Sequence, residues 1–592
     1  MKQAAVQIAP LTGLTEEEVL KLLEIPPQEQ MGDAAFPCFT LAKSLKKAPV
    51  VIAGEIAAAL QAAGTDAAAA GPYVNIRFDR KVLAPELLQE LGSETFGKLQ
   101  LGQGARVLID MSSPNIAKPF GIGHLRSTVI GAALYRLYQE AGYTSISVNH
   151  LGDWGTQFGK QITAYKRWGN EEALQADPIR NSLELYVRFH DEAEQDPTLE
   201  TEAREWFRKL EQGDDEAQRL WAFFVKVSMQ EFNRMYERLN VDFDYTLGES
   251  FYNDKMGAVV EELQDKGLLE ESDGALVVRL DEENMPPCLI IKKDGTTIYP
   301  TRDLATAIYR RNIMQADRLL YVVGGEQKLH FRQVFTVLSK MGYEWADNCE
   351  HIPFGLMRFE GRKMSTRRGK VVFLQEVLDE AVARAQQIIQ DKNPNLEQSE
   401  QVAEAVGVGA IIFGDLRSNR MNDIDFSLDD AVSFEGETGP YVQYTYARIQ
   451  SVLAKAANVS RDEREKVTDP LKGSAAENIE VNAELEAEGS HLDRHLRDHL
   501  AADAVGDTSW ALLKLLAEYP SYLEKAVLRS EPSVIAKYTI DVAQAFNRFY
   551  HAERIADAPP GTKAFRVKLA ARTAERLAYS LSLLGVQAPE RM

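Results

Sequence analysis

The 592-residue sequence predicts an α/β fold: a doubly wound, largely parallel sheet with a helical insertion, a small α/β domain before it and an all-α bundle after it. Three observations carry this prediction. From Ala105 onward, short apolar runs alternate with longer amphipathic stretches, the pattern of strands joined through helices into a parallel sheet. Between Gln161 and Tyr245 the chain turns charged and helical, which interrupts the sheet pattern without ending it. After Phe373, apolar residues recur at three- and four-residue spacing to the end of the chain. A chain of this length exceeds one core, so three or four domains are expected.

The composition is that of an ordinary globular protein, at 45% hydrophobic and 26% charged residues. The N-terminal MKQAAVQIAPLTGLTEEE lacks the apolar core of a secretory signal, and no run is long enough to span a bilayer. The three cysteines, Cys38, Cys288 and Cys349, are isolated, which excludes a disulfide framework and a C-x-x-C zinc site and points to the cytoplasm. A formal net charge of -21 argues against a protein that coats nucleic acid non-specifically. It leaves room for an enzyme that grips a structured RNA through local basic patches.

In chain order, the first hundred residues open with a helix over Thr15–Leu23, started by the capping signal Thr15-x-x-Glu18. Further helices are expected over Phe39–Lys47 and Ile52–Ala63. Gly71-Pro72 then introduces a strand, Tyr73–Phe78, read as a half-exposed edge that sets Tyr73, Asn75 and Arg77 against Val74, Ile76 and Phe78. Val107–Met111 is a buried strand. The stretch after it, SSPNIAKPFGIGHLRS over Ser112–Ser127, passes through a Pro/Gly loop into a helix, Leu125–Glu140, that stops at Gly142.

Strand, glycine loop and helix start make a place for phosphate. Gly121 and Gly123 allow close approach to the backbone, the first helical N–H groups face an anion, His124 adds a donor and Lys118 a fixed charge. An ordinary strand–loop–helix turn uses the same glycines, so this segment needs support from others. The next strand, Ser145–Asn149, ends in His150-Leu-Gly-Asp-Trp-Gly-Thr-Gln157. That sets Gly152, Asp153 and Gln157 at a carboxyl end, where open α/β sheets bind ligands. The sheet pattern resumes at Ala275–Leu280 and Cys288–Lys292. A turn at Asp294-Gly295 leads to Tyr299-Pro-Thr-Arg-Asp303 and a helix to Arg311. Leu319–Val323 ends at Gly324-Gly325, with Gln327 and His330 behind it. Phe354–Phe359 precedes a cationic loop, Gly361-Arg-Lys363-Met364-Ser365-Thr-Arg-Arg-Gly-Lys370. The bundle helices are Gln375–Gln390, Ser399–Phe413, Tyr441–Ala457, Asp507–Ala517, Pro520–Leu528, Ser533–His551 and Lys568–Leu584. Between them Ala457–Gly506 is polar and acidic, the composition of a flexible excursion. Tyr441, Tyr444, Phe546 and Tyr550, read as aromatics on exposed turns, suit stacking on unpaired bases, although aromatics at helical spacing are also core residues.

Together these segments resemble the class I aminoacyl-tRNA synthetases, and closely the arginyl-tRNA synthetases. The family's His-x-Gly-His signature falls on Gly121-Ile-Gly123-His124 within an SSPN-x-x-KP context, and Lys-Met-Ser-Lys-Ser falls on Lys363-Met-Ser365-Thr-Arg367. HLGDWGTQFG at His150–Gly159, YPTRD at Tyr299–Asp303 and GPYVQYTYARI at Gly439–Ile449 also look like that family, and the likeness runs from Met31-Gly-Asp33 to the final APERM. Two positions depart from the signatures: Gly121 replaces the first histidine and Thr366 the second lysine. The resemblance implies that Lys118 takes over the missing lysine's role.

The resemblance further implies a Rossmann-type catalytic domain over 101–375 with its helical insertion at about 161–245. It places a tRNA-elbow domain at 1–100, a connecting segment at 376–435 and an anticodon-binding bundle at 436–592. It implies Lys118, His124, Lys363 and Ser365 as catalytic residues, and Gly121, Gly123, His124, Gly152, Asp153, His330, Lys363 and Met364 as ATP contacts. Asn115, Ser113, Glu249, Tyr299, Asp303 and Gln327 are the implied arginine contacts. Tyr299 and Asp303 lie four apart and Glu249 brings a second carboxylate, which suits a guanidinium with five donors and no acceptor. Tyr73, Asn75, Tyr441, Tyr444, Arg448, Phe546, Tyr550 and Met592 are the implied tRNA contacts. Expected partners are tRNA(Arg), L-arginine and ATP with Mg²⁺ as substrate. No zinc, no resident metal and no membrane are expected, and the chain is expected to be a monomer. Against ligation of arginine to its tRNA stand a catalytically inactive tRNA-binding paralogue, suggested by Gly121, and a different class I synthetase or small adenylyltransferase. The latter fits the length and the helical bundle poorly.

Overall fold

The computed structural model describes residues 1–118, 120–359, 373–465, 500 and 504–592, which form two compact units. The basic run Gly361–Lys370, with Lys363, Met364 and Ser365, and residues 466–499 of the acidic stretch lie outside the described residues.

The first unit is built on Met1–Glu90 and includes Ala558–Arg566 and the described residues from 504 to Leu513. Its sheet has the order β1-β3-β2, with β1 at Ala34–Pro37, β2 at Asp66–Ala70 and β3 at Tyr73–Arg77. The expected edge strand is therefore central, paired antiparallel on both sides. Its neighbours escape a sequence reading because one is AAFP and the other DAAAA. Alanine favours helix, and only the pairing of Ala67 with Ile76 and of Ala34 with Ile76 makes them strands. The capping box at Thr15 forms as expected, with Glu18 N–H donating to Thr15 Oγ1 and Thr15 N–H to Glu18 Oε2. In place of a helix over Phe39–Lys47 there is a 3₁₀ turn, Cys38–Leu41, and one short helix, Ala42–Leu45, ended by Lys46 at φ 52°. Pro49 then starts a new helix to Ala62, its missing N–H falling where none is needed. A first helix, Lys2–Thr12, was not legible from the sequence. Gly32 and Asp33 fix this unit: a Cβ at Gly32, φ 124°, would lie 2.7 Å from the Ile76 carbonyl oxygen. Buried Asp33 accepts from the Phe78 N–H and from Trp510 Nε1.

The second unit holds a five-stranded sheet, ordered β11-β10-β4-β5-β6 and parallel throughout. Its strands are β4 (Arg106–Asp110), β5 (Thr144–Asn149), β6 (Tyr245–Thr246), β10 (Arg318–Gly324) and β11 (Cys349–Phe354). The chain runs outward from β4 through β5 to β6, then returns on β4's other side as β10 and β11. The strand order therefore reverses beside β4, which places a crevice at the carboxyl ends of β4 and β10. Between β5 and β6 come the helices Thr156–Trp168, Glu171–Ala176, Pro178–Ala193, Thr198–Glu211 and Asp215–Arg238, the expected insertion.

The runs near Ala275 and Cys288 do not rejoin this sheet. They form a separate antiparallel sheet of β7 (Glu270–Ser272), β8 (Ala275–Val278) and β9 (Cys288–Ile291). The reason is local: Asp273 and Gly274 both take positive φ, 53° and 80°, and make a two-residue hairpin turn, whereas a parallel neighbour needs a crossover. Beyond the sheet, β12 (Met357–Phe359) and β13 (Ile424–Phe426) make a short parallel pair. The helices Leu374–Lys392, Ser399–Leu416, Gly439–Glu465, Tyr519–Leu528 and Ser533–Ala552 follow, the third running eight residues past its expected end. Among the described residues no helix is long and apolar enough to cross a membrane.

One buried ion pair ties the sheet to the helices behind it. Arg126 sits on the helix Ile122–Glu140 after β4, 1% exposed, with Nε 2.8 Å from Oδ1 of equally buried Asp415. Its Nη1 donates to the carbonyls of Gly355 and Asn422, and its Nη2 to that of Arg420. Removing one member leaves the other buried and uncompensated. Arg126→Met is therefore expected to cost about 3–5 kcal/mol, read as a lower urea midpoint, whereas Arg126→Met/Asp415→Leu recovers much of that loss. A single variant with the natural midpoint contradicts this.

Candidate active site

The loop after β4 is strained and stitched down. Ser112, Ser113 and Ala117 adopt left-handed φ of 71°, 52° and 58°, a cost of roughly 1–2 kcal/mol per residue for side-chain-bearing positions. Neighbouring groups hold each one. Ser112 N–H donates to Ser127 Oγ, and its Oγ meets Tyr236 Oη at 2.8 Å. Ser113 N–H donates to Asn149 Oδ1, and its hydroxyl to Asp110 Oδ1 at 2.9 Å. Ala117 N–H donates to Ser228 Oγ. Tyr236 and Ser228 come from the last insertion helix, so the insertion shapes this loop. Asn115 forms an isolated bridge to Gly152, where a Cβ would lie 2.3 Å from Asn115 Oδ1. A side chain at 152 would displace the Asn115 amide.

The loop ends at Gly121, which starts the helix Ile122–Glu140. Gly121 N–H donates to His124 Nδ1 at 3.2 Å. With Nδ1 accepting, the neutral imidazole carries its proton on Nε2. Burial pushes the His124 pKa down to about 4, so near neutral pH the ring is an uncharged donor. Space beside Gly123 is open. Half-buried Lys118 acts electrostatically on both His124 and Glu249, which places its charge between the two halves of the crevice.

The second half comes from two other segments. The helix Tyr299–Asn312 carries Tyr299, Arg302 and Asp303 in its first turn, and Thr301 Oγ1 donates to the Ile290 carbonyl to hold that turn. Opposite lies Gly248-Glu249-Ser250. Asp153, assigned to ATP from sequence, holds this segment: its Oδ1 accepts from Ser250 N–H at 2.8 Å and its Oδ2 from Ser250 Oγ at 2.6 Å. It packs so closely that a Cβ at Gly248 would lie 2.2 Å from its Oδ2. Asp153 thus fixes the backbone that presents Glu249. Burial pushes the Glu249 pKa up to about 7, with nearby Arg302 opposing. His330, also assigned to ATP, brings Nε2 within 2.6 Å of Asp303 Oδ2. Gln327 is exposed in the 3₁₀ turn Gly325–Gln327 directly after β10. The crevice therefore offers two carboxylates and a phenol beside the start of a helix with open space at Gly123.

Elsewhere in the second unit, Arg448 sits 4.9 Å over the Tyr444 ring and 5.8 Å from that of Tyr550, and Lys392 stands 5.4 Å over Tyr444. Asn547 joins Arg448 Nη1 to Tyr441 Oη. Phe546 is not on an exposed turn: it is fully buried and stacks beneath the partly exposed Tyr550. Met592 packs against the helices Leu374–Lys392 and Ser399–Leu416. In the first unit Asn75 is buried, whereas Arg77 is exposed and half-buried Tyr73 meets the exposed Phe39 edge-to-face at 5.6 Å.

Three family models match the chain: tRNA synthetases class I (R), catalytic domain, over residues 86–428; the DALR anticodon binding domain over 442–592; and the arginyl tRNA synthetase N-terminal domain over 2–78. Arginine--tRNA ligase 1 of Bacillus cereus is 49% identical over 98% of this chain and 97% of its own. The chain belongs to the arginyl-tRNA synthetases. Arginine--tRNA ligase of Streptococcus pneumoniae is likewise 49% identical, over 98% of both chains. The solved arginyl-tRNA synthetase of Thermus thermophilus superposes with a TM-score of 0.75 at 25% identity, over 100% of this chain and 99% of that one. As a member of this class I family, the chain carries the parallel-sheet catalytic domain and helical C-terminal region described above. Asp110, Arg310 and Ser250 stand in the site without a motif to announce them, and Arg302 lies inside YPTRD with no role assigned to it. Their signal was position: Arg302 within YPTRD, Ser250 beside Glu249, Asp110 at a strand's carboxyl end.

Proposed function

We propose that this chain joins L-arginine to tRNA(Arg) in two steps, adenylate formation from arginine and MgATP and then transfer to the terminal ribose of the tRNA. The observation that carries this reading is the gathering of Glu249, Tyr299 and Asp303 at one end of a crevice whose other end is the His124 helix start. The acids take the guanidinium, and Asn115, Ser113 and Gln327 take the α-amino and carboxylate end. Attack of the carboxylate on the α-phosphorus forms one P–O bond and breaks the bond to pyrophosphate, with charge growing on the phosphoryl oxygens. Lys118 and the His124 Nε2–H stabilise that charge, with Lys363, Met364 and Ser365 assigned to the same nucleotide. Gly121, Gly123 and Gly152 let the nucleotide approach the backbone, and His330 orients Asp303. Tyr444, Arg448 and Tyr550, supported by Phe546 and Tyr441, offer stacking and charge to unpaired anticodon-loop bases, with Met592 packed on the helices Leu374–Lys392 and Ser399–Leu416, and Tyr73 rather than buried Asn75 offers a face to the tRNA elbow. On this reading residues 1–100 bind the elbow, 101–375 carry the chemistry, 376–435 connect and 436–592 read the anticodon. The protein acts as a cytoplasmic monomer.

The reading predicts ATP–pyrophosphate exchange that depends on L-arginine and appears only when tRNA is added. Exchange with another amino acid and none with arginine would sink the specificity assignment, and bound tRNA without exchange would favour the inactive paralogue. A second expectation follows from Glu249. Its ionised form binds the guanidinium, Arg302 and Lys118 favour that form, and Asp303 and Asp153 oppose it. A carboxyl with its pKa near 7 must release its proton for arginine to bind. KM for arginine should therefore fall as pH rises from about 6 to about 8, and Glu249→Gln should flatten that profile while raising KM. A flat natural profile contradicts the assignment.

A further inference from the structure

The crevice already contains a guanidinium. Arg302 Nη1 lies 3.4 Å from Glu249 Oε2, and its Cζ lies 5.9 Å from the centroid of the Tyr299 ring. These are two of the three groups assigned above to the guanidinium of substrate arginine. The Arg302 side chain is 13% exposed, and its Nε is buried with no hydrogen-bond partner. An unpartnered Nε is shared by Arg126 and Arg310, the buried arginines that brace the fold, but each of those holds its carboxylate more closely. Arg126 fills its guanidinium with three carbonyls and a carboxylate at 2.8 Å, and Arg310 holds Asp110 at 2.7 Å. What sets Arg302 apart is that its ion pair is single and long, at 3.4 Å, which is poor compensation for a desolvated cation. Asp303 is engaged by His330 instead.

We propose that Arg302 is a resident stand-in for the substrate: it occupies the guanidinium pocket while the pocket is empty and leaves when L-arginine enters. The inference rests on the arginine reading given above. Binding then exchanges one guanidinium for another, so the desolvated Glu249 is never left without a planar cationic partner. The exchange raises the concentration of arginine needed, because only the fraction of molecules with Arg302 withdrawn is open to it. A single ammonium, as on lysine, cannot reproduce the planar fork that it must displace.

The test compares the natural protein with Arg302→Gln and Arg302→Lys at about pH 8.5, where Glu249 is ionised. Two quantities are read: KM and kcat for arginine in tRNA charging, and the rise in Tm that a fixed concentration of L-arginine produces. Displacement predicts that Arg302→Gln lowers KM for arginine by roughly fivefold or more with a smaller change in kcat, and enlarges the arginine-induced rise in Tm. Arg302→Lys, a weaker occupant with nearly the same packing, should fall between the two. A KM that rises in both variants would mean that Arg302 contacts bound substrate, and a loss of kcat at constant KM that it only braces the helix. Either result overturns the proposal. Failure of the natural protein to charge arginine would instead overturn the arginine reading itself.

Discussion

Everything in the crevice depends on one carboxylate, Asp110, at the carboxyl end of β4. Its Oδ1 accepts the hydroxyl of Ser113, and its Oδ2 pairs at 2.7 Å with Arg310, which is fully buried. Ser113 belongs to the loop that leads to the His124 helix, and Arg310 to the helix whose first turn carries Tyr299, Arg302 and Asp303. A single acid thus fixes the spacing between the end proposed for the nucleotide and the end proposed for the amino acid. The sheet order makes this possible, because β4 lies between β10 and β5 where the strand order reverses. Such a pair is a constraint more than a source of stability, since desolvation offsets most of its attraction, but neither partner tolerates loss of the other.

The loop from Ser112 to Gly121 stands against its own backbone preferences. Three side-chain-bearing residues in left-handed conformations are stable only because Ser127, Asn149, Tyr236 and Ser228 supply hydrogen bonds from three different elements. Through Tyr236 and Ser228 the last helix of the insertion forms a wall of the site, which gives the insertion a physical role. Asp153 performs the same service opposite, where its two bonds to Ser250 present Glu249. The groups placed to touch ligand are few, and most of the buried polar chemistry is spent on holding them still.

Periodicity revealed the parallel sheet, the insertion and the C-terminal helices, because long amphipathic helices and apolar strands carry their own pattern. It failed where pairing rather than propensity decides the outcome. The alanine-rich β2 and the four-residue β1 become strands only against β3, and the β7–β9 sheet follows from a two-residue turn at Asp273-Gly274. In the site, the spacing of Tyr299 and Asp303 and the Gly121–His124 loop were legible because local geometry suffices to place them. Asp153 and His330 stood in the right place, but what each faces depends on residues far away in sequence, Ser250 and Asp303. Phe546 and Asn75 illustrate the same limit: helical or strand spacing sets a face, and only packing decides whether that face is covered.

One anchor sets both halves of a single catalytic crevice, and Asp110→Asn tests that claim most directly. The steady-state parameters for ATP and for arginine would be measured separately on the folded variant, with its fold checked by circular dichroism. A shared anchor predicts that kcat/KM falls for both substrates together, by on the order of a hundredfold, as expected when reacting groups are misplaced by about an ångström. A variant in which one substrate is affected and the other is not, or neither is, would contradict it.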